Sequence, residues 1–351
     1  MISEYLEGVI RCPVCRASGN GGAVSLDAES GGMRCRECES RFPALAERGY
    51  LDLRPPADTF DDLTDYAEEE FHHRAGSIKP LFLSAKIKMD MMSKMLRPTP
   101  DDRVLDIGCG KGQFLFYSRV SCGQLVGIDA GAHFAPEPLA TVDLTRGDIR
   151  LLPFEAESFD KAYSLDVLEH LDEEGVTSML SEARRVLKPG GKLFLYSHVM
   201  MSSRLAVFQR GVNRLVHWLD SKGLVDNEPE RERKSDHRNV LRSYAQLDAV
   251  LERTGFKIAK IRYYNVLFKA LFEDLMLPLA EHNFFAPEPS GSPGNHNRHG
   301  DDHHHHHESA KPDVGRWAHA PLTLASYIMK LDVALFGRVR TGPFFLLLEA
   351  V

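Results

Sequence analysis

The 351-residue chain is 43% hydrophobic and 26% charged, which suits one large α/β domain with a small accessory unit. Its formal net charge of −7 gives no overall attraction to nucleic acid, so nucleic acid is a less favoured partner. No segment approaches the ~18 consecutive apolar residues of a membrane span, and the first residues do not read as a signal peptide. We therefore expect a reducing, cytoplasmic location, in which the six cysteines are thiols or metal ligands and not disulfides.

Four of the cysteines form two Cys-x-x-Cys pairs near the N-terminus. Cys12 and Cys15 form the first pair, and Cys35 and Cys38 form the second after a spacer of nineteen residues. Each pair can bring two thiolates to one ion, and two pairs complete a closed tetrahedral zinc site with a structural role. Four unrelated free thiols fit this spacing poorly, and a redox dithiol needs only one pair.

Residues 1–54 are therefore predicted to be a zinc-dependent unit. They resemble a zinc ribbon, in which the segments 40–44 and 49–53 pair as strands to close the fold. Residues 55–100 are predicted to be a linker with N-terminal helices. This region begins at Pro55-Pro56, continues through an acidic run from Asp58 to Glu70, and ends in an apolar helix from Pro80 to Leu96.

A glycine turn follows the next predicted strand, which runs from Arg103 to Ile107. Gly108, Gly110 and Gly112 occupy alternate positions, and a helix begins at about Gln113. Glycines let the backbone bend sharply and approach a ligand closely, and the free N–H groups of a helix N-terminus can face that ligand. A strand, a glycine turn and a helix indicate a nucleotide-type site in an α/β sheet.

Acidic residues follow the predicted strands in a regular order. Asp106 ends the strand before the glycine turn, and Asp129, Asp148 and Asp166 follow at intervals of 23, 19 and 18 residues. An acid at the end of the second strand is placed to accept the ribose hydroxyls of a nucleoside ligand. Asp148 is followed by Ile149, a pair suited to an adenine amino group and its ring face.

Together these segments resemble the class I S-adenosylmethionine-dependent methyltransferases. The resemblance is carried by VLDIGCGKG, GIDA, GDIRLLPFEAESFD, LDVLEHL and RVLKPGGKLFL, from about Asp101 to Tyr196. It implies a doubly wound, seven-stranded Rossmann-like sheet with a reversed last strand, spanning residues 101–351. The GxGxG spacing disfavours a dinucleotide-dependent oxidoreductase, whose turn is GxGxxG.

The resemblance also implies a role for each matching residue. Asp106, Gly108 and Gly110 would hold the methionine moiety of S-adenosylmethionine, Asp129 the ribose, and Asp148 with Ile149 the adenine. Asp166 would help to close the site. The full predicted cofactor-binding set is Asp106, Gly108, Cys109, Gly110, Gly112, Asp129, Ala130, Asp148, Ile149 and Asp166.

Two insertions, at about 199–236 and 265–342, are predicted to roof the acceptor site. The second contains two apolar helices, 266–279 and 322–336, which either pack on the core or form an interfacial surface for a lipid-like acceptor and peripheral membrane contact. Between them lies a His-rich segment, 287–312, with five consecutive histidines. Its composition predicts a disordered loop.

The methyl acceptor is left open by the sequence. His198, His237 and His170 are candidate general bases for a hydroxyl acceptor, although each taken singly also fits a structural histidine. The first hypothesis is an enzyme that methylates a small-molecule or lipid-like acceptor. The second is an RNA or protein methyltransferase that docks through the zinc ribbon, because Arg11, Arg16, Arg34, Arg36 and Arg41 are basic. A non-enzymatic cofactor-dependent scaffold is the third.

Overall fold

A computed structural model describes most of the two predicted units and part of each insertion. The described residues are 3–19, 21–26, 32–43, 49–54, 77–131, 133–199, 206–225, 237–238, 240–264, 267–279 and 319–351. The predicted acidic run and the His-rich segment lie outside the described residues.

The N-terminal unit consists of two short helices and a small antiparallel sheet. The helices are α1 (Glu4–Val9) and α2 (Pro13–Ala17), and the strands, in the order β1-β2-β3, are β1 (Val24–Leu26), β2 (Met33–Cys35) and β3 (Arg41–Phe42). Ser3 begins α1 as an N-cap, because its hydroxyl accepts a hydrogen bond from the Leu6 backbone N–H at 3.1 Å.

The remaining elements form a large sheet covered by helices. The strands are β4 (Leu51–Asp52), β5 (Arg103–Ile107), β6 (Gln124–Asp129), β7 (Asp143–Arg146), β8 (Phe159–Leu165), β9 (Leu187–His198), β10 (Phe256–Tyr263) and β11 (Pro343–Ala350). The helices are α3 (Leu83–Leu96), α4 (Gln113–Ser118), α5 (Pro136–Leu139), α6 (Glu173–Val186), α7 (Ala206–Ser221), α8 (Tyr244–Arg253) and α9 (His319–Phe336), with a 3₁₀ turn at Leu168–His170 and a π-helix at Ala270–Met276.

The strand order in the large sheet is β10-β11-β9-β8-β5-β6-β7-β4. Strands β4 to β9 pair in parallel, whereas β11 is antiparallel to both β9 and β10. This arrangement confirms the predicted doubly wound, Rossmann-like methyltransferase sheet with its reversed last strand. Beside the seven predicted strands lies an eighth, β4, which comes from the N-terminal unit.

The pairing predicted for residues 49–53 is wrong. In place of a partner inside the ribbon, β4 joins β7 in parallel, with Leu51 opposite Thr145 and Asp52 opposite Arg146. The exposed edge of β7 offers unpaired backbone groups, and β4 satisfies them. Leu51 is 1% exposed, so the addition also buries apolar surface that a free-standing ribbon of this size would leave in water.

Further contacts tie the N-terminal unit to the large sheet. Ile10 forms a β-bridge with Phe154, and the Tyr5 hydroxyl donates to the Ser158 carbonyl at 2.6 Å. The Arg16 guanidinium donates to both carboxylate oxygens of Glu182, at 2.9 and 2.8 Å. One hydrophobic cluster contains apolar residues of both parts.

The Lys188-Pro-Gly-Gly191 segment is a bulge in β9, although the sequence predicted the end of a helix followed by a strand at 192. Helix α6 ends at Val186, and Leu187 already pairs with Phe159. Residues 188–191 then loop out before Lys192 pairs with Lys161. Gly190 has a φ of +73°, which a glycine adopts without strain.

Three helices, α7, the π-helix and α9, come from the two predicted insertions, and we call them the roof helices. Helix α7 comes after β9 and the π-helix after β10, and these two strands run in the same direction because both are antiparallel to β11. Helix α9 precedes β11, whose first residue pairs with His198 at the end of β9. The buried Asp332 carboxylate of α9 accepts backbone N–H bonds from residues 267, 268 and 269 at 3.0 to 3.1 Å, fixing the start of the π-helix segment.

Within the described ranges, no helix is long and apolar enough to cross a bilayer.

Candidate functional site

The glycine turn after β5 is built around three residues with positive φ angles. Gly108, Gly110 and Gly112 have φ angles of +78°, +52° and +77°. A Cβ atom at Gly108 would overlap the Val167 side chain, and one at Gly112 would lie 2.8 Å from Pro138 Cβ. A Cβ at Gly110 would meet nothing within 4 Å, because this residue opens toward space that a ligand can enter.

Asp129 holds the turn in place. One of its carboxylate oxygens accepts the Gly110 backbone N–H at 2.8 Å, and the other accepts the Gly131 N–H at 2.8 Å. The Gly108 and Cys109 N–H groups both donate to the Ile128 carbonyl, at 2.8 and 3.0 Å. The ends of β5 and β6 are thereby joined into one wall.

That wall borders a cavity of about 320 Å³ at the carboxyl-terminal edge of the sheet. Eight residues of the predicted cofactor-binding set line it: Asp106, Gly108, Cys109, Gly110, Asp129, Ala130, Ile149 and Asp166. Gly112 and Asp148 are outside the described lining. Gly112 instead caps α4 at its N-terminus, and the turn it allows brings Gly110 to the cavity.

Asp148 lies beside the cavity and binds Arg150. The Arg150 guanidinium donates to both Asp148 carboxylate oxygens at 2.9 to 3.1 Å, and the Arg150 backbone N–H donates to Oδ1 at 2.8 Å. Arg150 itself lines the cavity. The structure thus places Asp148 behind a cationic side chain that the sequence prediction missed.

Asp106 is 2% exposed at the floor of the cavity. Burial raises the pKa of this carboxyl well above its usual value, and the nearby Asp129 carboxylate raises it further, whereas the neighbouring Tyr163 hydroxyl opposes the shift. A cation bound against Asp106 would favour its ionised form. The carboxyl is therefore suited to a positively charged ligand group.

Asp166 follows β8 with a φ of +55°, an uncommon backbone conformation for a residue other than glycine. Its carboxylate forms an ion pair with Lys88 of α3, whose ammonium also lies 4.6 Å from the centre of the Tyr196 ring. Sequence patterns could not identify Lys88, because its helix lies between the cysteine pairs and the glycine turn and belongs to neither motif. The other described lining residues outside the predicted set are Lys111, Gln113, Phe114, His133, Leu165, Val167, Leu171, Asp172 and Arg238.

The three candidate bases lie close together. The His170 ring lines the cavity, and its centroid is 4.8 Å from that of His237. The His237 and His198 centroids are 6.0 Å apart. His198 and His237 are outside the described lining, so the three histidines form a row that leads away from the cavity.

Glu169 lies at the far end of this row and was missed by the sequence prediction. Its carboxylate is 4.0 Å from His198 Nδ1 and accepts a 2.9 Å hydrogen bond from the Ser197 hydroxyl. Burial is the main reason that its pKa is raised, with Asp166 adding to the shift and His198 opposing it. We call Glu169, His170, His198 and His237 the histidine row.

The four N-terminal cysteines meet at one point. The Sγ atoms of Cys12 and Cys38 are 3.6 Å apart, as are those of Cys15 and Cys35, and all four lie within 4.8 Å of one another. A tetrahedral zinc ion with Zn–S bonds of about 2.3 Å needs sulfur separations of about 3.8 Å. Hydrogen bonds with Ser40 lower the pKa of Cys38 to about 6, whereas burial raises the pKa of Cys12 and Cys15, whose thiolates a bound cation would favour. The donor set and spacing thus fit zinc.

Comparison with known proteins places a methyltransferase family on this part of the chain. Residues 105–195 match the family described as "Methyltransferase domain". A ubiquinone biosynthesis O-methyltransferase of Hahella chejuensis is 36% identical over 149 residues, covering 38% of this chain and 57% of the relative. A 37.1 kDa protein in transposon Tn4556 of Streptomyces fradiae, described as uncharacterized, is 36% identical over 121 residues, covering 32% of this chain and 34% of the relative.

Among solved structures, the phosphoethanolamine N-methyltransferase 2 of Haemonchus contortus, in complex with S-adenosyl-L-methionine, is similar with a TM-score of 0.43 and 17% identity. The match covers 76% of this chain and 52% of that one. The chain spans about a third and just over half of the lengths of the two curated relatives described above.

Proposed function

We propose that this chain, whose residues 105–195 form a methyltransferase domain, transfers a methyl group from S-adenosylmethionine to a small-molecule or lipid-like acceptor. The observation that carries the proposal is Gly110. Its backbone N–H is held by Asp129, its α-carbon opens to free space, and both residues line the same cavity.

The chain's own residues would bind the methyl donor in distinct ways. Asp106 is the carboxylate for the cationic amino-acid end, and Asp129 can accept ribose hydroxyls while keeping the glycine turn in place. Ile149 supplies an apolar wall for adenine, with Asp148 acting through Arg150. Gly108, Cys109 and Ala130 shape the backbone around these groups, Gly112 supports the turn, and Asp166 with Lys88 closes one side.

When bound, the donor supplies a methyl group on a sulfonium, and the neutral sulfur leaves readily. The protein therefore contributes chiefly by aligning the acceptor with that methyl group and excluding water. For a hydroxyl acceptor the histidine row can take the proton. His170 is the member that reaches the cavity, and His237, His198 and Glu169 position it or stabilise its charged form.

Three observations support a small-molecule or lipid-like acceptor. The chain's net charge is negative, and curated relatives in the matched region include enzymes named for O-methylation in ubiquinone biosynthesis. The cavity also has an apolar portion formed by Phe114, Leu165, Val167 and Leu171. These side chains are suited to an acceptor with a hydrophobic part.

The alternative, an RNA or protein methyltransferase docking through its zinc unit, rests on five arginines. Three of them are engaged within the chain: Arg11 pairs with Glu155, Arg16 with Glu182 and Arg34 with Glu39. Two of these pairs attach the N-terminal unit to the methyltransferase domain. The charges of these three arginines are thus balanced by acidic residues of the same chain, which favours the small-molecule hypothesis.

We also propose that residues 1–54 form a structural zinc unit held by Cys12, Cys15, Cys35 and Cys38. Residues 55–100 then act as a linker with N-terminal helices, and residues 101–351 form the catalytic part. Each cysteine supplies one sulfur and the shell leaves no position for water. The ion would stabilise the small sheet that precedes β4.

Isothermal calorimetry tests the donor site. We expect S-adenosylmethionine to bind the full chain and Asp129→Ala to weaken binding at least about 100-fold, because the variant loses the ribose acceptor and both backbone bonds that hold the turn. Asp143→Ala, which changes an acid elsewhere on the same sheet, is the control. Equal affinities for wild type and Asp129→Ala would refute the assignment.

Tritium-methyl transfer into a fractionated lysate tests the acceptor class. Label in the small-molecule or lipid fraction supports the proposal. Label confined to RNA or protein, together with salt-sensitive RNA binding that charge reversal at Arg34 and Arg36 abolishes, would establish the alternative.

A further inference from the structure

Helix α7 exposes apolar side chains that the part of the chain described by the structure leaves partly uncovered. Phe208, Leu215 and Trp218 are 40%, 42% and 54% exposed. At 3.6 residues per turn they fall within an arc of about 80° on one side of the helix. Val212 and Val216, on the neighbouring arc, are buried against Ala270 and Leu275 of the π-helix. The apolar surface of α7 is therefore wider than the part that packs. We call Phe208, Leu215 and Trp218 the α7 stripe.

The charge around the stripe is opposite to that of the whole chain. Arg210, Arg214 and Lys222 are exposed on or just after α7, and Asp220 is the only acid in residues 206–222. The chain as a whole carries a net charge of −7. Among the described residues, none forms an ion pair with Arg210 or Arg214. An anionic surface is the complementary partner.

The α7 stripe belongs to the helix that follows β9 in the chain, and β9 ends at His198. On α9, Leu324, Tyr327, Leu331 and Leu335 are also exposed at helical spacing. Arg338 and Arg340 follow them and are exposed as well. Apolar and basic side chains thus occur together on two roof helices.

We propose that α7 docks this protein on an anionic membrane surface. The α7 stripe enters the interfacial region of the lipid, and Arg210, Arg214 and Lys222 contact the headgroups. A Trp, a Phe and a Leu beside arginines on a helix of large hydrophobic asymmetry are typical of helices that lie in the membrane plane. The inference concerns binding to the membrane and does not depend on methyl transfer.

A lipid surface fits α7 better than a second copy of the chain. A twofold interface through α7 would place the arginines of one copy near those of the other, at an electrostatic cost. A bilayer with acidic headgroups meets the apolar stripe and the basic margins simultaneously.

Vesicle co-sedimentation of the full chain tests the proposal. We expect binding to phosphatidylcholine vesicles that contain about one third phosphatidylglycerol, and at least about tenfold weaker binding to pure phosphatidylcholine. Arg210→Glu with Arg214→Glu should lower the affinity for anionic vesicles at least about tenfold. Leu215→Glu and Trp218→Glu should each do the same, because a carboxylate resists entering the interface.

Val120→Glu is the matched control. Val120 is an 81% exposed apolar residue just after α4, at the opposite edge of the sheet, so its replacement should leave vesicle binding unchanged. All variants alter exposed side chains, and thermal unfolding checks that they remain folded. Failure to bind anionic vesicles, or undiminished binding by folded Leu215→Glu, would overturn the proposal. So would concentration-dependent self-association that Leu215→Glu abolishes, without vesicle binding, since the stripe would then join two copies.

Discussion

At the scale of single residues, alanine substitutions at Gly110 and Gly190 distinguish the stability lost to backbone strain from the affinity lost when a side chain blocks the ligand. Both have positive φ angles, and at both a Cβ would meet nothing within 4 Å, but only Gly110 lines the cavity. We expect Gly110→Ala and Gly190→Ala each to cost about 1 kcal/mol of unfolding free energy, lowering Tm by a few degrees. Only Gly110→Ala should weaken S-adenosylmethionine binding, by at least about tenfold, because its methyl group enters ligand space.

Calorimetry and thermal unfolding on both variants measure these effects. Comparable loss of affinity in Gly190→Ala would show that general strain, and not ligand contact, is responsible. Full affinity in Gly110→Ala would mean that the ligand does not approach this backbone.

Glu169 gives a pH-dependent prediction. Its pKa is raised in the folded protein, so the unfolded chain releases this proton first as pH rises, and folding becomes less favourable above the unfolded pKa of about 4.5. Glu169→Gln removes this penalty and can still accept the Ser197 hydroxyl hydrogen bond. We therefore expect the Tm of the variant, relative to wild type, to rise from pH 4.5 toward neutral pH, while methyl transfer to a hydroxyl acceptor slows.

Thermal unfolding across this pH range provides the measurement, and Glu252→Gln on the exposed face of α8 provides the control. A Tm difference that is independent of pH would contradict the assigned shift. An unchanged transfer rate would remove Glu169 from the proposed proton path.

At the scale of structural elements, the four cysteines predict a metal dependence limited to one unit. We expect purified protein to contain one zinc per chain, and Cys35→Ser or a strong chelator to remove it and to lower Tm, because three sulfurs cannot complete the tetrahedral shell. Cys122→Ser is the matched control. Cys122 is a buried cysteine in the loop between α4 and β6, and it does not belong to the cluster. Metal analysis decides: zinc retained in Cys35→Ser, or absent from wild type, would contradict the prediction.

The glycine turn and its flanking strand were predictable because their constraints are local. Positive φ angles at alternate positions require glycine, and a buried strand requires consecutive apolar residues, so a short pattern records both. The pairing of residues 49–53 was not predictable in this way. The sequence of a two-residue strand does not indicate which sheet edge the strand joins. In this protein β4 pairs with the edge strand β7.

At the scale of the whole molecule, the N-terminal unit is part of the sheet and of the core. Leu6, Ile10, Leu51 and Leu53 are each at most 1% exposed. Removing residues 1–54 would therefore uncover apolar surface and the edge of β7 together. We expect this truncation to reduce the soluble fraction severely, as measured after expression and centrifugation.

Deletion of residues 287–312 is the control for the truncation of residues 1–54. The composition of this segment does not support a packed core, so its loss should leave the soluble fraction nearly unchanged. A soluble, cooperatively folding protein without residues 1–54 would show that the large domain is independent of the N-terminal unit.

By itself, the sequence determined the sheet class, eight residues that line the cavity and the cysteine cluster, because each depends on residue types at short, fixed spacings. The tertiary structure alone decided three further features. It brought His170, His198 and His237 into one row beside the buried Glu169, placed Arg150 in front of Asp148, and added β4 to the large sheet. Each of these depends on contacts between segments far apart in the chain, and such contacts are set by how apolar faces pack and leave no local pattern.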